Sequence, residues 1–225
     1  LVFATDCRED DLALNWQRLI HVHLKEKKHR GVLTGAPITD MKITLVAGKA
    51  HTKHTEGGDF RQATYRAVRQ GLMQAECLLL EPYYAFRITV PTDMVGRVLT
   101  DMECMGGSVR QPEIQGQQAM ITGRAPVSSS RNYARDLAAF SGGRGRIVLT
   151  PDGYDVCHNA EEVLEKKCYD PTRDMRNSPD SVFCQHGSGY IVPWDEVHQH
   201  MHLESVLAER KKNEFDEGTI ARLKR

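Results

Sequence analysis

The chain has no long apolar run. Its most hydrophobic stretches, such as "CLLL" at Cys77 to Leu80, fall far short of the roughly 20 residues that a membrane-spanning helix needs. The amino terminus lacks the basic segment followed by an apolar one that marks a secretory signal. The six cysteines, at positions 7, 77, 104, 157, 168 and 184, include no C-x-x-C pair, which excludes a zinc ribbon and gives no disulfide framework. A reducing, cytoplasmic setting without membrane contact is the reading these absences leave. The G-x-x-x-x-G-K-[ST] pattern is missing too, so the chain is not expected to bind or hydrolyse a nucleotide by itself.

Charge of one sign is also missing. Thirty basic and thirty acidic side chains cancel, which at first sight excludes an electrostatic partner such as nucleic acid. The distribution says more: residues 1–79 carry 12 Lys+Arg against 9 Asp+Glu, residues 80–156 carry 8 of each, and residues 157–225 carry 10 against 13. A mildly basic first segment leaves room for a local basic tip.

At 225 residues with 40% hydrophobic content the chain can bury two cores. In "DDLALNWQRLIHVHLKEKKHRG", Leu12, Trp16, Leu19, Ile20, His23 and Leu24 recur at helical spacing. Acids stand at the start, bases at the end, and Gly31 is the expected stop. "PITDMKITLVAG" reads as a strand. Asp59 is the expected N-cap of a second helix that buries Phe60, Thr64, Ala67, Val68, Gly71 and Leu72, with Arg61, Tyr65 and Arg69 on another face. From Leu80 the order is strand, helix, strand, strand, helix, strand, the split β-α-β pattern of a ferredoxin-like domain. A short helix at Ala160–Lys167, a polar linker and a helix near 194–212 complete the reading. Residues 1–79, 80–156 and 157–225 are thus expected to form two domains and a C-terminal extension.

Three groups of residues invite a functional reading. The loop "GKAHTKHTEGG" offers Lys49, His51, Lys53 and His54. Its imidazoles and Glu56 could hold a metal or perform acid-base chemistry, or its cations and imidazoles could donate to the phosphate and ribose oxygens of RNA. In "SGGRGR", Gly142, Gly143 and Arg144 either form a turn that needs left-handed backbone or allow close approach to a phosphate or a protein surface. "HQHMH" puts His198 and His202 one helical turn apart. That makes either a second candidate metal cluster or a packed helix face. A metal-binding enzyme using these histidines is the alternative to an RNA-contacting protein.

Several markers together carry a resemblance. "ITDMKITLVAGKAHTKHTEGGDF", then "LLLEPYYAFRITVP", then "TGRAPVSSSRNYARDLAAFSGGRGRIVL" resemble, in order, the carboxy-terminal half of elongation factor G and its relatives, the tetracycline-resistance ribosomal protection proteins. The most specific are Leu80-Glu81-Pro82, Ala125-Pro126 and the run Ser141 to Gly145.

The resemblance implies an α+β chain: a truncated α/β domain like the second domain of ribosomal protein S5, a ferredoxin-like βαββαβ domain, and a partly helical tail. It implies a ribosome-binding piece excised from a longer GTPase, with Leu1 to Asp6 the end of a strand. GTP and Mg²⁺ would be held by the parent's amino-terminal GTPase domain, itself a partner, and no cofactor by this piece. Lys49, His51, Lys53 and His54 would lie in the tip loop that reaches ribosomal RNA at the decoding centre. Gly142, Gly143 and Arg144 would face the GTPase-associated region or the parent's GTPase domain. His51 matches a histidine that elongation factor G presents at the tip. The resistance proteins carry instead a Tyr-Ser-Pro-Val type segment, which "KAHTKHT" lacks. The extension is expected to cover the ferredoxin-like domain.

Overall fold

The computed structural model describes residues 1–51, 55–201 and 203. The chain divides into two compact units, Leu78–Lys166 and Leu1–Cys77 together with the segment from Lys167 onward. Among the described residues no helix is long and apolar enough to cross a membrane.

In the first unit, β1 (Val2–Thr5) and β2 (Lys42–Leu45) pair in parallel, Val2 opposite Lys42 and Thr5 opposite Leu45. Parallel neighbours need a crossover, and α1 (Leu14–Glu26) supplies it. The apolar stripe of α1 puts Ile20 and Leu24 into a core with Cys7, Leu12 and Phe60. Trp16 stacks on Phe60 with centroids 4.7 Å apart. Helix α1 stops at Lys27 in extended backbone, four residues before Gly31. The reason is local: His29 is buried and its Nε2 bonds the Leu24 carbonyl at 3.0 Å, which takes over an acceptor at the helix end. The acids at positions 10 and 11 precede the helix instead of opening it.

Helix α2 (Gly57–Gln74) is capped by Glu56, not Asp59. Asp59 sits at the third helical position and returns a bond to the Glu56 backbone N–H, so the two carboxylates form a reciprocal capping box. Its buried positions are Phe60, Thr64, Leu72 and, against the sequence pattern, Arg69. Ala67 and Gly71 face solvent.

The second unit is built on β3 (Leu80–Pro91), flanked by β6 (Gln118–Pro126) and β7 (Arg146–Val156), both antiparallel to it. Two short strands, β4 (Ser108–Val109) and β5 (Glu113–Gln115), pair with the far side of β6. Helix α3 (Val95–Cys104) crosses from β3 to β4, leaving room for β6 between them, so the sheet order is β4-β6-β3-β7. This is the ferredoxin-like arrangement. One face of β3 presents Phe86, Ile88 and Val90 to Val98 and Met102 of α3 and to Tyr133 and Leu137 of α5 (Tyr133–Phe140). The single-turn α4 (Val127–Ser130) precedes α5, and α6 (Ala160–Lys167) follows β7. Strand β7 runs on to Val156 because β3 continues past an irregularity at Pro82/Tyr84 and offers Leu80 as its last partner.

Residues 157–166 of the extension fall in the ferredoxin-like unit, where the His158 N–H bonds the Glu81 carboxylate, and the segment from Lys167 onward belongs with the first unit. That later segment, expected with the rest to cover the ferredoxin-like domain, packs on α2. Arg66 donates to the Ser178 carbonyl at 2.7 Å, and Gln70 to the Pro179 carbonyl at 3.0 Å and the Ser181 hydroxyl at 2.8 Å. Beyond these anchors β8 (Ser181–Gln185) and β9 (Ser188–Val192) form a hairpin. In the described part of the helix predicted near 194–212 there is a single turn, α7 (Val197–His200), which Met201 leaves in extended backbone. The positions of that predicted helix from 204 on lie outside the described residues.

Candidate nucleic-acid interface

Because β1 and β2 run in parallel, the loops that leave them, 6–13 and 46–56, emerge at the same end of the strand pair. The carboxyl ends of parallel strands are where open α/β sheets commonly bind their ligands. The second loop has a firm base. A Cβ on Gly48 would come within 2.7 Å of the Leu12 Cδ2, so a larger residue there would have to displace the end of that buried leucine. Ala50 packs on the core that contains Leu12 and Phe60. Two inward small residues leave their neighbours outward: Lys49 and His51 are both exposed. The His51 N–H donates to the Thr55 hydroxyl at 2.7 Å, and the Thr55 N–H returns to the His51 carbonyl at 3.2 Å. The two bonds clasp the loop on either side of residues 52–54. Lys53 and His54, which the sequence pattern adds to the candidates, lie outside the described residues.

Chemistry at this end favours contact over catalysis. Cys7 lies beneath the loop, and burial, seconded by the Asp11 charge, pushes its thiol up, away from the reactive thiolate. Arg8 and Asp11 are paired with each other. Among the described residues no three His, Cys, Asp or Glu side chains converge to hold a metal ion. Of the second histidine group, His200 packs its ring against Phe183 and Tyr190 at 5.8 and 6.0 Å. His202 lies outside the described residues. The metal-enzyme alternative draws no support from the described positions.

Gly142, Gly143 and Arg144 belong to the second unit, where they end α5. Gly142 and Gly143 have φ of 57° and 77°, and neither would meet anything within 4 Å if it carried a Cβ. Backbone conformation is therefore what selects glycine there. The Gly143 N–H caps the helix on the Ala138 carbonyl at 2.9 Å, and the buried Ser141 hydroxyl accepts from the Gly145 N–H at 2.8 Å. Arg144 is exposed, with its Nε bonded to the Ser141 carbonyl at 3.2 Å. The turn reading of this segment is what the geometry shows.

Residues 1–76 match the family description "Elongation factor G, domain IV", and residues 78–163 match "Elongation factor G C-terminus". The chain belongs to the elongation factor G family. Tetracycline resistance protein TetP of Clostridium perfringens is 30% identical over 140 residues, covering 62% of this chain and 22% of that protein. Elongation factor G 2 of Streptomyces coelicolor is 31% identical over 137 residues, covering 61% of this chain and 20% of that protein. A crystal structure of a Thermus thermophilus protein superposes with a TM-score of 0.59 at 22% identity, over 74% of this chain and 26% of that one, a likeness of fold. The chain therefore spans about a fifth of the length of the curated relatives it matches.

Domain IV of the family corresponds here to the unit carrying Lys49 and His51, and the C-terminal domain to the unit carrying Gly142 to Arg144. Two features escaped the sequence reading. Glu81, quoted above only as a marker, is buried, and its carboxylate accepts from the His158 N–H and ring and from the Ser128 hydroxyl. A second basic cluster, Lys27, Arg30, Arg66, Arg69 and Arg176, gathers on the first unit. The i, i+3 pairs Lys27/Arg30 and Arg66/Arg69 were its local signals, while Arg176 joins from 107 positions beyond Arg69.

Proposed function

We propose that this chain is the ribosome-contacting region of a translational GTPase, with the loop Gly48–Gly58 as its tip against ribosomal RNA. The observation that carries the reading is the pairing of two consecutive family matches with a clasped loop whose inward residues are small and whose outward residues are Lys49 and His51. Such a loop can enter an RNA groove and donate to phosphate and ribose oxygens without bulk that would clash. The chain itself carries out no chemistry in this reading. GTP and Mg²⁺ would be bound by the parent's GTPase domain, which the Gly142 to Arg144 turn or the large subunit's GTPase-associated region would meet. The cytoplasm, where ribosomes work, is the matching location. Elongation and tetracycline protection are the two activities that the relatives' names suggest for the parent.

The test uses the full-length parent protein. Lys49→Ala and His51→Ala are expected to lower ribosome-dependent activity roughly tenfold each, the size of a lost charge-assisted hydrogen bond, while intrinsic GTP binding stays unchanged. Assaying translocation and drug protection in parallel assigns the activity. Wild-type levels of both in both variants would remove the tip from the mechanism.

A further inference from the structure

The second basic cluster lies within the first unit, where α2 meets the turn after α1 and the C-terminal extension. Lys27, His29, Arg30, Arg66, Arg69 and Arg176 line a cleft of about 210 Å³. No Asp or Glu shares that lining, and among the described residues none of the five Lys and Arg side chains is in an ion pair. The acids nearby are occupied elsewhere: Asp174 by the Tyr169 hydroxyl, the Asn177 amide and the backbone of its own turn, and Glu26 by Tyr65, His23 and Arg61. The Lys27 ammonium stands 4.4 Å over the Tyr65 ring. Burial, and then the Arg66 and Arg69 charges, hold its pKa below the ordinary lysine value against an opposing pull from Asp174.

Arg69 marks the centre. It is 4% exposed, and its Nη1 donates to the Arg30 carbonyl at 2.7 Å and its Nη2 to the Tyr169 hydroxyl at 2.7 Å. Its Nε is buried with no acceptor among the described residues. An orphaned donor of a buried guanidinium is unfavourable unless something accepts from it.

We propose that this cleft is an anion site that takes a phosphate group, held by Lys27, Arg66, Arg69 and Arg176 and complete only when the extension is seated on α2. Five cations in so small a space call for a multivalent anion, and a phosphate offers several acceptors to guanidinium forks where a lone carboxylate offers two. The volume is below that of ordinary drug-sized ligand pockets, so the site holds the phosphate and leaves whatever carries it outside. A free phosphate, a small phosphorylated molecule and an RNA backbone all present this chemistry. The cleft shares no lining residue with the tip loop and stands whether or not that loop meets RNA.

The experiment uses the whole 225-residue chain and has two arms. Inorganic phosphate and pyrophosphate are titrated by calorimetry against chloride at matched ionic strength, and a labelled single-stranded RNA dodecamer is followed by anisotropy across a salt series. Saturable one-to-one binding of phosphate or pyrophosphate, weakened about tenfold by Arg176→Gln and by Lys27→Gln, identifies a small phosphorylated ligand. Binding of RNA alone, with Arg176→Gln reducing the salt slope by about 0.7, identifies the RNA backbone. Arg69→Lys probes the buried Nε directly. Should it fail to fold, the exposed Arg176 and the half-buried Lys27 still decide the matter. No binding in either arm, or binding that neither Arg176→Gln nor Lys27→Gln weakens, overturns the proposal.

Discussion

Replacing Glu81 by glutamine should destabilise the ferredoxin-like unit and flatten its response to acid. Glu81 is 7% exposed, and its Oε1 accepts from the His158 N–H at 2.8 Å and from the His158 Nδ1 at 2.5 Å, while its Oε2 accepts from the Ser128 hydroxyl at 2.9 Å. Hydrogen bonds to a charged, buried acceptor are worth about 1.5–3 kcal/mol each, and a carboxamide keeps one acceptor oxygen and the shape. The expected net loss is about 2 kcal/mol, which for a domain of this size lowers Tm by roughly 10 °C. Burial alone would raise the Glu81 pKa, but the His158 N–H, the His158 ring and the Ser128 hydroxyl outweigh it and hold it below the ordinary 4.5. A depressed carboxylate contributes its full stabilisation above the unfolded value and loses it as the pH falls through the folded one. Wild type should therefore weaken below about pH 4.5 by an increment that Glu81→Gln has already lost at neutral pH. Calorimetric melts of both proteins across that range read it directly. An unchanged neutral Tm in the variant, or identical acid slopes, would refute the reasoning.

Three further outcomes are expected. Gly143→Ala meets no neighbour but must hold φ near 77°, so it should cost about 1–2 kcal/mol in chemical denaturation; a neutral result would show that the turn tolerates side chains. Maleimide at neutral pH should label the exposed Cys104 and Cys184 well before the buried Cys7 and Cys157, whose thiols burial pushes up, as mass spectrometry of the quenched mixture would record. Tyr169→Phe removes the hydroxyl that bridges Arg69 and Asp174, a loss of about 1–2 kcal/mol. Amides of residues 169–178 should then exchange faster with deuterium, and unchanged exchange would mean that other contacts hold the extension.

Much of this architecture is legible in the sequence, since alternation in β3 and the helical stripes of α1, α3 and α5 report on burial one residue at a time. What escaped depends on partners far along the chain. Arg69 sits on a face that α2 alone would leave wet, and it is buried because Tyr169 and Pro171 come from 100 positions away to cover it. The end of α1 at Lys27 and the choice of Glu56 over Asp59 as cap turn on side-chain geometry that spacing does not encode. In the tip loop the alternation of Gly48, Lys49, Ala50 and His51 was a usable signal, small residues inward and polar ones outward. At Gly142 and Gly143 the sequence left open a turn or a contact surface, and positive φ with empty space around both accounts for the glycines through the backbone.

The net charge of zero is the composition figure that misleads most. Charges cancel in solution only where they lie within about a Debye length of each other, ~8 Å at physiological salt, and among the described residues neither Lys49 nor any of the cleft's Lys and Arg side chains is in an ion pair. The loop presents Lys49 beside His51, and among the described residues no carboxylate pairs with that lysine. The cleft gathers five cations while the extension that completes it, the most acidic third of the chain, spends Asp170 on Thr172 and Arg173 and Asp174 on its own turn. Segregation of this kind leaves the whole protein formally neutral and is what gives the two proposed anion sites their local positive charge. Raising salt should therefore weaken phosphate and RNA binding although the protein as a whole carries no formal charge, and a binding constant insensitive to salt would show that both surfaces are neutralised in solution.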